Sequence, residues 1–230
     1  MSMFTPEELT AIGLSLKVAI VAALASLPPG IACGWLLARR RFPGKALLDA
    51  LLHLPLVMPP MVTGYALLVV LGTQGPVGSW LLEHFGIQFA FRWTGAALAC
   101  AVMGFPLMVR AIRLSIEATD HRLEAAAATL GAGPWRVFFS ITLPLAWPGL
   151  VAGVVLAFAK ALGEFGATIT FVSNIPGETQ TLSSAIYGLM QVPGMELGIW
   201  RLAGVALAIS LAALLLSEWL VRRPHPREED

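Results

Sequence analysis

Residues Leu123–Gly149 read LEAAAATLGAGPWRVFFSITLPLAWPG, a polar interruption in an otherwise apolar chain. Arg122 to Leu130 is rich in alanine, the strongest helix former. Gly131-Ala132-Gly133 stops that helix, and Pro134 suits the first turn of a second short one. Leu143-Pro144 then turns the chain back towards apolar sequence. The segment is expected to be two short helices joined by a glycine hinge, lying at a membrane surface. Composition alone leaves two readings open, a docking element or a helix that merely caps a bundle.

Working outward, the membrane reading rests on charge depletion. The 230 residues are 57% hydrophobic and only 13% charged, with a mean hydropathy of +0.77, whereas soluble domains carry about 25% charged residues. Gly13–Ala38 holds a single charge, Lys17; Leu54–Leu82, Thr94–Val109 and Leu202–Leu216 hold none. Pro144–Phe171 holds only Lys160 and Glu164. Several of these windows approach the ~20 apolar residues that cross a ~30 Å hydrocarbon core. The fold class is therefore an all-α membrane protein, a polytopic bundle of about five transmembrane helices.

The net charge of +1 is uninformative, but its distribution is not. Arg39, Arg40, Arg41 and Lys45 share the first loop, Arg110, Arg113, Arg122 and Arg136 flank the polar interruption, and Arg222, Arg223 and Arg227 lie in the tail. The positive-inside rule puts all three in the cytoplasm. The intervening loops, with only Arg92 and Arg201, face outward, so the N-terminus is expected outside and the C-terminus cytoplasmic. Residues 1–13 lack a basic leader and carry Glu7 and Glu8, so the first span is expected to stay as an integral helix.

Five spans follow: Glu8–Ala38 with a kink at Pro28-Pro29-Gly30, Ala46–Leu71 interrupted by Pro55, Pro59 and Pro60, Thr94–Ala118 with Pro106, Trp147–Phe171, and Leu202–Leu220. Ser79–Phe85 and the amphipathic Thr181–Gln191 are too short to span and are expected to lie at the interface or re-enter. Residues 9–221 form one membrane domain, and 222–230 a mobile cytoplasmic tail.

Lys160 and Glu164 fall four apart on one face of the fourth span, deep inside it. Intramembrane charges face a pore or pair with one another, so they either line a path for an anion or neutralise each other in packing. Lys before Glu is the weaker i,i+4 order, which favours partners elsewhere. Thr168, Thr170, Ser173 and Asn174 continue a polar stripe, read either as pathway or gate lining or as interhelical hydrogen bonding. Cys33 and Cys100 sit within spans as packing residues, and the scattered histidines (His53, His84, His121, His225) lack metal-site spacing. No phosphate-binding GxxxxGK is followed by Ser or Thr: Gly44-Lys45 is followed by Ala46. No catalytic residue or resident cofactor is expected.

Glu124-Ala125-Ala126, Gly131 after four residues and Ile141-Thr142-Leu143-Pro144 after nine more resemble the EAA loop of permease subunits in ATP-binding-cassette (ABC) importers. The loop, residues 119–146, would dock the ATPase there, through Glu124, Ala125, Ala126, Gly131, Ile141, Leu143 and Pro144. Glu124 would offer a charge to a basic or backbone partner, and Gly131 a sharp turn. Phe42–Tyr65, Phe105–Ala118 and Leu162–Thr181 resemble the molybdate permease branch, with a match over roughly Gly13–Val221. Sulfate permeases share the GEFGA core at 163–167.

This resemblance implies alternating access in the bacterial inner membrane, with ATP and magnesium used by a partner. The implied partners are two ATPase subunits, an outer molybdate-binding protein, a second copy of this chain and membrane lipid; nucleic acid is not among them. The chain ends ten residues past Leu220, so substrate control is expected in another subunit. Three alternatives stand: sulfate or thiosulfate import, gradient-driven anion transport and a membrane scaffold. The second leaves the loop spacing unexplained, and the third does not need the polar stripe.

Overall fold

The computed structural model describes residues 4–221, and the 222–230 tail lies outside the described residues. The chain is helical throughout its regular structure: α1 Pro6–Arg39, α2 Lys45–Val57, α3 Pro60–Leu71, α4 Pro76–Phe85, α5 Trp93–Glu117, α6 His121–Thr129, α7 Pro134–Val137, a π turn Phe138–Thr142, α8 Leu143–Leu145, α9 Trp147–Leu162, α10 Gly166–Val172, α11 Leu182–Met190 and α12 Glu196–Val221. Among the described residues α1, α5 and α12 are each long and apolar enough to cross a membrane, and two sharply bent segments raise the number to at most five.

The first helix starts where local chemistry tells it to. Thr5 accepts from the Glu8 N–H through Oγ1 at 3.2 Å, and Glu8 Oε2 accepts from the Thr5 N–H at 2.8 Å. This capping box fixes the start at Pro6, ahead of the expected Glu8. Helix α1 then continues through Pro28 and Pro29 to Arg39.

Helices α1, α5 and α9 form the centre of the bundle. Hydrocarbon tails are as apolar as leucine, so these helices associate by close packing of small residues. The buried contacts are accordingly alanine-rich, with Ala19, Ala22, Ala96, Ala99 and Ala157 at 3% exposure or less. Gly30 and Gly34, four apart on α1, let α5 approach so closely that a Cβ on either would stand 2.9 Å from Met108 or Ile112.

Two expected spans differ in form. The second is two helices, α2 and α3, whose axes turn by 112° at Met58-Pro59. Pro59 and Pro60 bring no N–H to continue the ladder. The fourth stops at Leu162 and restarts at Gly166, rather than running unbroken to Phe171. Its upstream join to α7–α8 bends by 67°. The last span begins at Glu196, so Arg201 lies inside α12 instead of an outer loop, paired with Glu8 at 2.7 Å.

The two interrupted regions meet. A Cβ on Gly64 of α3 would lie 2.4 Å from the Ala167 carbonyl oxygen of α10, and one on Gly166 would lie 2.8 Å from Pro60. Backbone rather than a movable side chain opposes Gly64, so the first methyl group cannot be absorbed by a rotamer change. Gly64→Ala is expected to lower the melting temperature of the detergent-solubilised protein by an amount corresponding to about 1–3 kcal/mol. Gly204→Ala, with nothing within 4 Å, is expected to leave it unchanged or raise it slightly.

Candidate functional site

The 119–146 loop folds as its punctuation dictates. Asp120 caps α6, its Oδ1 accepting from the Arg122 N–H at 2.9 Å. The helix ends in a Schellman turn: the Ala132 N–H donates to the Ala127 carbonyl at 3.1 Å and the Gly131 N–H to Ala128 at 3.0 Å. Gly131 sits at φ +84°, a left-handed conformation that costs a side-chain-bearing residue about 1 kcal/mol. Pro134 opens α7. The ladder then widens into the π turn, where the Leu143 N–H donates to the Phe138 carbonyl. Pro144, one residue on, has no N–H of its own, and the π turn absorbs that mismatch.

The bend into α9 is plugged from α5. Ser115 Oγ accepts from the Gly149 N–H and donates to the Ala146 carbonyl, both at 3.3 Å, so the free N–H of the first turn keeps a partner while the carbonyl also accepts from Leu150.

Glu124 turns inward. Its Oε1 accepts from Arg39 Nη2 at 2.9 Å, Arg39 Nε at 3.2 Å and Thr142 Oγ1 at 2.7 Å. The side chains of Arg39 and Glu124 are 7% and 19% exposed, so removing one partner leaves the other charge largely withdrawn from water without its counter-ion. Arg39 Nη1 also donates to His121 Nε2 at 2.9 Å, which leaves the proton of the neutral ring on Nδ1. That nitrogen stands 3.8 Å from Glu124 Oε2, the only partner of Oε2 among the described residues.

The other expected loop residues divide. Ala125, Ala126, Gly131 and Pro144 are exposed, while Ile141 and Leu143 are half-buried. Sequence reasoning missed the most exposed apolar groups of the loop, Leu130 at 88%, Trp135 at 74% and Phe139 at 59%. Trp135 stacks on Phe139 with centroids 6.3 Å apart, and Phe138 meets Trp35 of α1 edge-on at 5.9 Å. Four aromatic or long apolar residues within ten positions of a polar loop were the available signal.

The intramembrane charges pair with each other. Lys160 Nζ donates to Glu164 Oε2 at 2.6 Å, and Glu164 Oε1 accepts from the Ala167 N–H at 3.0 Å. The expectation of partners elsewhere fails because Glu164 is not on the helix that carries Lys160. It lies in the break between α9 and α10, where the orientation rule for a continuous helix does not apply. Glu164 is 2% exposed and Lys160 29% by side chain.

Along the proposed stripe, Thr168 Oγ1 donates to Phe165 O at 2.9 Å and Thr170 Oγ1 to Gly166 O at 2.8 Å, so both protons are committed to the backbone of α10. Ser173 is exposed and adopts φ +65°, ending α10. Asn174 Nδ2 donates to the Ser184 carbonyl at 3.4 Å, while its buried Oδ1 lacks a hydrogen-bond partner. The structure thus gathers Lys160, Glu164 and Thr168 at one helix break and sets Ser173 and Asn174 beyond the other end of α10.

The model of the family described as binding-protein-dependent transport system inner membrane component matches residues 30–226. The molybdenum transport system permease protein of Escherichia coli K12 is 62% identical over 98% of both chains. Its counterpart in Haemophilus influenzae is 58% identical over 94% of both. The sulfate transport system permease of Escherichia coli is 37% identical over 92% of this chain and 74% of that one. Among solved structures, a bacterial ABC transporter that imports alginate superimposes with a TM-score of 0.72 at 18% identity, over 95% of this chain and 82% of its own. The chain belongs to the binding-protein-dependent transport system inner membrane component family, the permease subunits of ABC transporters.

Proposed function

We propose that this chain is the membrane permease of an ABC importer that carries molybdate, or the similarly shaped tungstate, into the cytoplasm. The observation that carries this reading is near-full-length identity of 62% and 58% to the Escherichia coli and Haemophilus influenzae molybdenum permeases, against 37% to the Escherichia coli sulfate permease. ATP is hydrolysed by a separate subunit, with magnesium, and this chain contributes no cofactor of its own. Two ATPase subunits, an outer binding protein and a second copy of this chain complete the assembly in the inner membrane.

The arrangement supports one orientation. Arg39 ties the end of α1 to the 119–146 loop, so two basic segments share one end of the bundle. Glu8 and Arg201 join the starts of α1 and α12 at the opposite end, which makes these helices run the same way. The basic end is cytoplasmic by the positive-inside rule, with the N-terminus outside and the C-terminus inside.

In this reading the ATPase seats on the exposed side of the loop, Ala125, Ala126, Gly131 and Pro144 together with Leu130, Trp135 and Phe139. The loop moves α9 through its covalent join and α1 through Arg39. Discontinuous helices and buried charges belong beside a translocation path, so the junction of α3 with α10, guarded by Lys160 and Glu164, serves as the gate. The committed Thr168 and Thr170 protons make those residues lining rather than oxyanion donors in this conformation, with Ser173 and Asn174 at the far mouth.

The reading is tested by uptake of labelled molybdate into vesicles holding this chain, its ATPase and its binding protein. Uptake is expected to need ATP and to survive excess sulfate. Sulfate competition that abolishes it moves the substrate to the sulfate class, and indifference to ATP overturns the importer reading. Gly131→Asp is expected to keep abundance while losing ATPase co-purification and transport; normal values of both contradict docking at this loop. Glu164→Ala is expected to lower transport more than abundance, and equal losses would reduce the ion pair to packing.

A further inference from the structure

Arg39 is the last residue of α1, yet nearly every polar atom of its guanidinium is spent on the 119–146 loop. Nη2 donates to the Thr119 carbonyl at 3.4 Å and to Glu124 Oε1 at 2.9 Å, Nε donates to the same oxygen, and Nη1 donates to His121. Thr142, beyond the Gly131 turn, donates to that oxygen too. One carboxylate oxygen therefore joins α1, the first half of the loop and the second half.

The join from α5 into the loop and the turn within the loop are weak levers by comparison. Between α5 and α6 lies Asp120 in an extended conformation, and the two halves of the loop meet at Gly131 in the left-handed region. Rotation at either position costs only the capping bonds of α6, those that Asp120 accepts from Arg122 and Leu123 and those that Gly131 and Ala132 donate to Ala128 and Ala127. A push on α6 would be absorbed there unless the loop were held as one body.

Resting on the reading of this loop as the ATPase seat, we propose that Arg39 is a positioning residue that locks the two halves of the loop to α1, so that ATPase movement reaches α1 instead of dissipating at Asp120 and Gly131. Arg39 is buried against the loop, at 7% side-chain exposure, and acts by transmission. Lysine is a poor replacement, because its single nitrogen lacks the planar fork that reaches Thr119, His121 and Glu124 from three separate nitrogens.

The test uses the complete assembly and three readings: ATPase co-purification, ATP hydrolysis stimulated by the binding protein, and molybdate uptake. Arg39→Gln is expected to keep the first two while uptake per ATP hydrolysed falls about tenfold, the range of a typical coupling energy. Thr142→Val, which removes one donor and leaves the ion pair, is expected to shift the same ratio less. Arg39→Gln with Glu124→Gln is expected to be no worse than the more damaging single variant, as for partners in one contact. Unchanged uptake per ATP overturns the inference, as do additive losses, or loss of ATPase binding in parallel with uptake. Wild-type uptake that ignores ATP overturns the importer reading itself, and is seen before any variant is compared.

Discussion

The structure depends on how a membrane-embedded backbone and its few buried charges are kept satisfied, and nowhere more than at Glu124 Oε1. Three donors from two residues converge there, from the end of α1 and from the far half of the polar loop. In a half-buried position such a carboxylate is costly alone and structurally directive when paired. It turns two short helices, each too small to be stable by itself, into an extension of the central bundle. The exposed Leu130, Trp135 and Phe139 are then presented on a rigid frame.

The same constraint explains the breaks within the bundle. Two of the places where a helix is interrupted have a local repair from a side chain. Ser115 serves both the carbonyl of Ala146 and the N–H of Gly149. Glu164 accepts from the Ala167 N–H while it neutralises Lys160. Segments α3 and α10 pack backbone against side chain and backbone at Gly64 and Gly166, without the bulk that would hold them apart. A junction of short, separately terminated helices can shift as units while a continuous span cannot, which suits a gate.

Much of this was legible in the chain. The loop was readable because its signals are local: an alanine run, a glycine turn and a proline start within twelve residues of one another. The apolar windows were readable because hydrocarbon thickness imposes length. The Thr5–Glu8 capping box and the Gly30–Gly34 spacing were equally local and were overlooked, which misplaced the start of α1 and left its closest contact unseen. What local reading could not supply was the pairing of Arg39 with Glu124, 85 residues apart. Lys160 and Glu164 were misjudged in orientation because a continuous helix was assumed across Gly163. Gly163 and Gly166 on either side of Glu164 were the cue that the helix would stop.

Whether the loop and α1 move as one body is read from a distance between them. Spin labels at the exposed positions Ala32 of α1 and Thr129 of α6 would be measured by pulsed electron resonance in the full assembly, with labelled copies diluted among unlabelled ones. A narrow distance distribution that stays put when ATP binds is expected. A distribution that shifts or broadens on ATP binding, in the protein with Arg39 intact, would contradict movement as one body.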